Sequence, residues 1–281
     1  MENKNLIYKI LNPEIVIKIP KFLKILVPKF LRKKIKKKLF KYIFLPTSLN
    51  TLPELNYPIQ NNYHQQKELI KIFELNNKQN SFMTCPHLIQ LLLMSFKQDE
   101  EFSFLDFGGE KIDFYLELKK KFKNVKYYVF NQKEILKTFD DLKNEYSFKD
   151  LNIIFEISEI YKNKNEFINF GGSIQYINNY NEILDNITNV SKKYIFFSAT
   201  TFYNSKDKNF NKNIVVKQIN LLPTMFYMYF FNREYFLQYF LKKNYCLFFE
   251  KKNLTHNINY DNFNNLIKSS QYTDIMFLRK Y

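Results

Sequence analysis

Beyond residue 100 the chain switches between two periods. FSFLDF (102–107), VKYYVF (125–130), LNIIFEI (151–157), EFINF (166–170) and KKYIFFSA (192–199) are short apolar runs rich in aromatic and β-branched residues, which predicts strands. Between them, DFYLELKKKF (113–122), QKEILKTFDDLKNEY (132–146) and NYNEILDNITNV (179–190) place apolar residues three and four apart, which predicts helices. In the last of these Asn179 is the expected N-cap, and Glu182 falls in the first turns. NREYFLQYFLKK (232–243) reads as a further helix, and YCLFFEKK (245–252) and YTDIMFLRKY (272–281) read as two closing strands with no helix between them. Strands alternating with helices argue a mostly parallel sheet covered on both faces. The expectation is a Rossmann-like, doubly wound α/β fold with seven strands and an antiparallel C-terminal edge. NIVVKQI (213–219) adds a small excursion before the last helix.

The first hundred residues follow another pattern. KFLKILVPKFLRKKIKKKLFKYIFL (21–45) holds ten Lys/Arg and no acid. From Pro28, the residues Leu31, Ile35, Leu39, Tyr42 and Ile43 fall on one helical face, with most lysines elsewhere. Such a helix suits an anionic membrane surface. A helix packed on the domain with a solvated lysine face is the alternative, with nucleic acid a third. Residues 46–65 are rich in Pro and Asn and read as a linker. Short helices follow at 67–77 and 84–96, the second with Thr84 as N-cap and Pro86 in its first turn. The expected layout is a basic amphipathic segment (1–47), a linker with a helical lead-in (48–100) and an α/β domain (101–281).

Charge and composition sharpen this in one place and blur it in another. The net charge of +16 is concentrated: residues 1–45 carry +11 of it, leaving +5 for the other 236 residues. Lys, Asn, Ile, Phe and Tyr abound, Trp is absent, and Ala199 is the single alanine, a pattern that follows A/T-rich codons. Basicity is therefore weak support for a nucleic-acid partner. Cys85 and Cys246 stand far apart and match no metal spacing, which suits reduced thiols in a cytoplasmic protein. No run of 18 uncharged apolar residues occurs, so no spanning helix is expected.

Glycine is the most informative residue. There are four in 281 positions, about 1.4% against roughly 7% in ordinary proteins, and they form two pairs: Gly108–Gly109 and Gly171–Gly172. Each pair follows a predicted strand. In an open parallel sheet a ligand lies at the strand carboxyl ends, where strand order reverses. If the first and fourth strands flank that point, both pairs meet at one crevice. Glycine there lets backbone come close to a ligand; two unrelated tight turns are the plainer alternative. The text G-G-E-K-I-D lacks two glycines of a dinucleotide fingerprint, and Glu110 would repel a pyrophosphate. A ligand with an ammonium and a sulfonium, such as S-adenosylmethionine (SAM), tolerates that glutamate better.

Residues 84–250 resemble a bacterial family of class I SAM-dependent methyltransferases associated with surface-polysaccharide synthesis. The resemblance rests on LDFGG (105–109), VFNQ (129–132), SIQYINNYNEIL (173–184), YIFFSATTF (194–202) and LPTMF (222–226), and on the Pro86 helix. It implies that Asp106, Phe107, Gly108 and Gly109 line the methionine end of SAM. It implies that Asn131, standing where an acid usually holds the ribose, and Gln132 lie near the adenosine. Ser173, Gln175 and Tyr176 match the family after the fourth strand. Gly171 and Gly172 replace its small residues and line the same crevice. Ala199 stands where an Arg is frequent, and an aromatic loop near 226–231 is shortened. The implied activity is O-methylation of a glycan or lipid-linked sugar, by a protein that is cytoplasmic or peripheral at the inner membrane face. A chain of this fold that has lost catalysis and serves as a binding or scaffold protein is the other reading.

If the acceptor is a hydroxyl, a base helps remove its proton. Gln175 cannot act as one, and Tyr176 needs a strongly lowered pKa. His87, at the N-terminus of the helix before the first strand, is the more natural candidate, with helix capping or surface exposure as alternatives. His64 reads as a linker residue and His256 as a loop residue. Three chemistries lack their residues. Nucleic-acid amino methylation uses an Asp/Asn-Pro-Pro-aromatic tetrapeptide, base C5 methylation needs a placed thiolate, and metal-assisted transfer needs carboxylates, whereas the first acid after Phe170 is Glu182. The aromatic cluster at 225–240 reads partly as a core helix, with Tyr235, Phe236, Tyr239 and Phe240 at packing spacing, and partly as a substrate contact at 225–231.

Overall fold

The computed structural model describes residues 43–53, 67, 70, 86–204, 213–219, 225–253 and 271–280. Most of the basic segment 21–45, together with His64, Thr84, Cys85 and His256, lies outside them. In chain order the described elements are β1 (Ile43–Pro46), α1 (Pro86–Ser95), β2 (Phe102–Phe107), α2 (Ile112–Lys121), β3 (Val125–Phe130), α3 (Lys133–Tyr146), β4 (Leu151–Ile154), α4 (Ile157–Ile160) and β5 (Phe167–Asn169). A single 3₁₀ turn (Ile174–Tyr176) leads to α5 (Tyr180–Val190), β6 (Tyr194–Tyr203), β7 (Ile214–Ile219), β8 (Met225–Asn232), α6 (Arg233–Lys242), β9 (Tyr245–Lys252) and β10 (Gln271–Arg279). No helix among the described residues is long and apolar enough to cross a membrane.

The chain forms two compact units. The larger comprises Asn56–Thr200, Phe236–Lys251 and Thr273–Tyr281. Its strands run in the order β4-β3-β2-β5-β6-β10-β9. The first five are mutually parallel. β10 runs antiparallel between β6 and β9: Arg279 N donates to Lys193 O at one end, and Ala199 N reaches Asp274 at the other. This is the Rossmann-like arrangement with an antiparallel edge that the alternation predicts. β2 is mostly apolar because both its faces are covered: Phe102, Phe104, Leu105 and Phe107 are buried, and Asp106 is buried among them. Without tryptophan, stacked rings fill the core. Phe104 stacks on Tyr127 and Phe167, Phe96 on Phe102 at 4.1 Å, and Phe240 on Phe277 at 4.0 Å. Replacing one such ring by alanine costs roughly 3–5 kcal/mol.

The smaller unit comprises Met1–Leu55, Thr201–Tyr235 and Lys252–Tyr272. β7 pairs antiparallel with β1 and with β8, and Phe202 and Tyr203 at the end of β6 pair in parallel with Phe231 and Asn232. Two sequence expectations are corrected here. Ile43 closes no helical face; it begins β1, opposite Ile219. Residues 225–232 form neither a loop nor helix but β8, with Met228 to Phe231 buried, because a run of aromatic and Met side chains suits a strand covered on both faces. In α6 the packing stripe narrows to Phe236 and Phe240, while Tyr235 is exposed and Tyr239 donates to Asp185.

Glycine scarcity shows in how helices end. Ser147 closes α3 in the left-handed conformation at φ 55°, and Asn244 follows α6 at φ 64°. Glycine is the usual residue at such positions, and another residue costs roughly 1–2 kcal/mol. The chain tolerates that strain at its helix ends and keeps glycine for two turns.

Candidate cofactor and active site

Strand order reverses between β2 and β5. From β2 the chain moves to β3 and β4 on one side, and from β5 it moves to β6 on the other. Asp106 near the end of β2 stands opposite Val129 of β3 and Asn169 of β5. Both glycine pairs follow directly, so the structure brings them to one switch point. Gly108 sits at φ +85° with its N–H donating to Phe130 O at 2.7 Å. A Cβ on Gly108 would lie 2.5 Å from Ser173 Cβ. Ser173 Oγ in turn lies 2.6 Å from Phe170 O and 3.1 Å from Phe107 O, and its one proton is shared between the two carbonyls, stitching the two turns together. Gly109 is needed for a different reason: its Cβ would lie 2.5 Å from Asp106 Oδ2. Gly171 adopts φ +51° with open space where a Cβ would project, and Gly172 leaves ordinary contact distances of 3.6 Å and beyond.

Beneath the first turn lies Asp106, buried. Its Oδ2 accepts from Tyr127 Oη at 2.5 Å and its Oδ1 from Asn169 Nδ2 at 2.8 Å. Burial pushes its pKa up to about 6 against the opposing pull of those two donors. Burial also raises the Tyr127 phenol, with the Asp106 charge reinforcing it, so the phenol stays protonated and donating. Asn169 Oδ1 then accepts Gly171 N at 3.0 Å, which links the carboxylate to the second turn. Phe107 is buried against Phe130 and Phe170 and forms the apolar floor.

At the end of β3, Asn131 Nδ2 donates to Gly109 O at 2.8 Å, while its Oδ1 accepts Gln132 N at 2.7 Å. The amide thereby holds the glycine turn to the next strand. An amide offers two N–H and two lone pairs, so one of each remains for a ligand. Gln132 is exposed and stands at the N-cap position of α3, where its carbonyl accepts Ile135 N and Leu136 N. After β5, Gln175 is buried and Nε2 reaches Ala199 O at 3.3 Å. Tyr176, in the same 3₁₀ turn, is exposed. The expected Asn179 cap is not made through its side chain; the amide turns to Glu182 at 3.4 Å.

His87 occupies the second position of α1, and its Nδ1 lies 3.0 Å from Asp274 Oδ2. Asp274 belongs to β10 and its other oxygen accepts Ala199 N at 2.8 Å and Ser198 Oγ at 3.0 Å. Ala199 adopts φ +45°, a conformation disfavoured for a residue with a Cβ. The arrangement joins His87 to the crevice: Ser198 N donates to Gly171 O, and a Cβ on Gly172 would touch Ala199 O. Tyr127, Asn169 and Asp274 escaped the sequence reading. Each left the same signal, a polar group within an apolar strand.

These groups fit an adenosyl sulfonium better than a pyrophosphate. Asn131 keeps hydrogen-bonding positions suited to ribose hydroxyls, the space beside Gly171 is open, and exposed Glu110 offers negative charge at the turn. A surface depression lined by Leu93, Met94, Phe96, Lys97 and Glu100 lies where α1 leads toward the amino end of β2 and shares none of this chemistry.

No protein-family model and no curated protein matches this sequence. Solved structures similar to it include an S-adenosylmethionine-dependent methyltransferase from Clostridium acetobutylicum ATCC 824, at 11% identity over 76% of this chain and 99% of that one, with a TM-score of 0.48. Magnesium protoporphyrin IX methyltransferase from Synechocystis PCC 6803 with bound SAM is 6% identical over 80% and 100% of the two chains, with a TM-score of 0.48. The Burkholderia thailandensis 1,6-didemethyltoxoflavin-N1-methyltransferase with bound 1,6-didemethyltoxoflavin and S-adenosylhomocysteine is 10% identical over 84% and 99%, with a TM-score of 0.45.

Proposed function

We propose that this chain is a SAM-dependent methyltransferase whose cofactor lies at the carboxyl ends of β2, β3 and β5. One observation carries the reading. All four glycines of the chain meet where strand order reverses between β2 and β5 among the described parallel strands, and a reversal is where such sheets bind ligands. SAM, when bound, supplies a methyl group on a positively charged sulfur. The chain's own part is positioning: Gly108, Gly109 and Phe107 form the wall, with Asp106 beneath holding the turn. Asn131 and Gln132 face the ribose and adenine side. Gly171, Gly172, Ser173 and Gln175 close the opposite side. Holding acceptor oxygen, methyl and sulfur in line removes much of the entropic barrier.

The acceptor we favour is a hydroxyl of a glycan or lipid-linked sugar, on the strength of the family resemblance. The basic segment 21–45 would hold the enzyme at the anionic inner face of a membrane, where such acceptors are built. Nucleic acid is a weaker candidate, since the excess charge lies in that one segment. A second reading is a chain of the same fold without catalysis. It is favoured by Asn131, which lacks the charge of an acid at the ribose position and gives one N–H to Gly109. Titration calorimetry with SAM and S-adenosylhomocysteine separates the two. Saturable binding is expected, and no heat at millimolar ligand would end the enzyme reading. For the membrane claim, removal of residues 1–42, which spares β1, should abolish sedimentation with anionic liposomes; unchanged sedimentation counts against it.

A further inference from the structure

The last strand carries an acid inside an apolar run, and it holds a histidine. Asp274 is 2% exposed. Its Oδ1 accepts Ala199 N, a donor that cannot reverse its role, together with Ser198 Oγ, and its Oδ2 lies 3.0 Å from His87 Nδ1. An ionised carboxylate only accepts. In the neutral ring Nδ1 must therefore carry the proton, and Nε2 keeps its lone pair. The ring remains 29% exposed, so it is not sealed in the core. Ala199 is bent to φ +45° to aim its N–H at Asp274, and Gln175 grips the Ala199 carbonyl from the other side. Non-glycine residues in this conformation persist where their surroundings over-determine them, commonly at functional sites.

We propose that Asp274 is a positioning residue that presents His87 Nε2 as the base for an acceptor bearing a removable proton, a neutral hydroxyl first among them. This rests on the methyl-transfer reading. In the step, the acceptor proton passes to Nε2. The oxygen lone pair forms the bond to the methyl carbon, and the electron pair of the broken carbon–sulfur bond returns to sulfur, leaving a neutral thioether. An acceptor that is already anionic, such as a carboxylate, has no use for the base.

The test reads the tautomer directly. In the full-length chain with His64→Gln and His256→Gln, His87 is the single imidazole. Long-range nitrogen–proton NMR of its neutral form should show the proton on Nδ1. Asp274→Asn keeps the shape, but Ala199 N still demands an oxygen, so the new amide must turn its NH₂ toward Nδ1. The tautomer should then invert, with the proton on Nε2, the arrangement that disables a base. SAM affinity should stay within about twofold, because neither group belongs to the cofactor wall; a twofold change is about 0.4 kcal/mol. A wild-type ring protonated on Nε2, a mixture of tautomers, or no inversion in Asp274→Asn overturns the proposal, as does a tenfold loss of SAM affinity. If Asp274→Asn fails to fold, the wild-type tautomer alone decides. Absence of SAM binding to the wild-type chain would instead sink the methyl-transfer reading, which the tautomer result does not touch.

Discussion

The four glycines look alike in sequence, yet the structure assigns them different costs on substitution by alanine. At Gly108 two effects combine. The φ of +85° strains any residue with a Cβ, and that Cβ would lie 2.5 Å from Ser173 Cβ and 2.8 Å from its Oγ. Left-handed strain costs roughly 1–2 kcal/mol, overpacking roughly 1–3, and loss of the Ser173 hydrogen bond about 1, so Gly108→Ala should cost about 3–6 kcal/mol. Gly171→Ala carries the strain without the collision, since nothing lies within 4 Å, and should cost roughly 1–2 kcal/mol. Gly172→Ala meets neither obstacle and, by restricting the unfolded chain, should stabilise by about 0.4–1 kcal/mol. Urea unfolding followed by circular dichroism gives the ranking from the midpoints at constant slope. A Ser173→Gly change in the Gly108→Ala background should recover the collision part and leave the strain. Equal costs at Gly108 and Gly171, or no recovery from Ser173→Gly, would show that the Ser173 collision is not what makes Gly108 costly to replace.

Three further outcomes follow from the same geometry. Asp106 has a folded pKa of about 6 against an ordinary 3.8, so the fold holds its proton more tightly than the unfolded chain does. Its contribution is fully present below about pH 4 and lost as pH rises through about 6, on the order of 3 kcal/mol in all. Asp106→Asn should flatten that part of the pH–stability curve, and an unchanged slope would show that the carboxyl does not titrate there. Asn131→Asp removes the donor to Gly109 O and should cost about 1 kcal/mol in unfolding. The same change should tighten SAM about tenfold by charge-assisted bonds to the ribose, measured by calorimetry, with an unmoved affinity placing the ribose elsewhere.

Much of the fold was legible because its strands differ in period from its helices. VKYYVF and YCLFFEKK coincide with β3 and β9, and the closing strand pair gives the antiparallel edge. Both glycine turns were legible from scarcity alone. Their meeting was legible only as a condition, because strand order is set by long-range pairing that local pattern does not encode. For the same reason the partners of Asp106 were missed: Asn169 lies 63 residues away and is brought opposite by register. Asp274 lies 187 residues from His87 and meets it through β10. The run 225–231 misled because Met, Phe and Tyr at every position carry no period.

A cofactor bound at the reversal between β2 and β5 should shield the backbone around it. Amide hydrogen exchange with and without S-adenosylhomocysteine tests this most directly. Slowed exchange should be confined to residues 106–110, 131–132 and 171–175. Protection that falls elsewhere in the chain, or no protection at millimolar ligand, would contradict it.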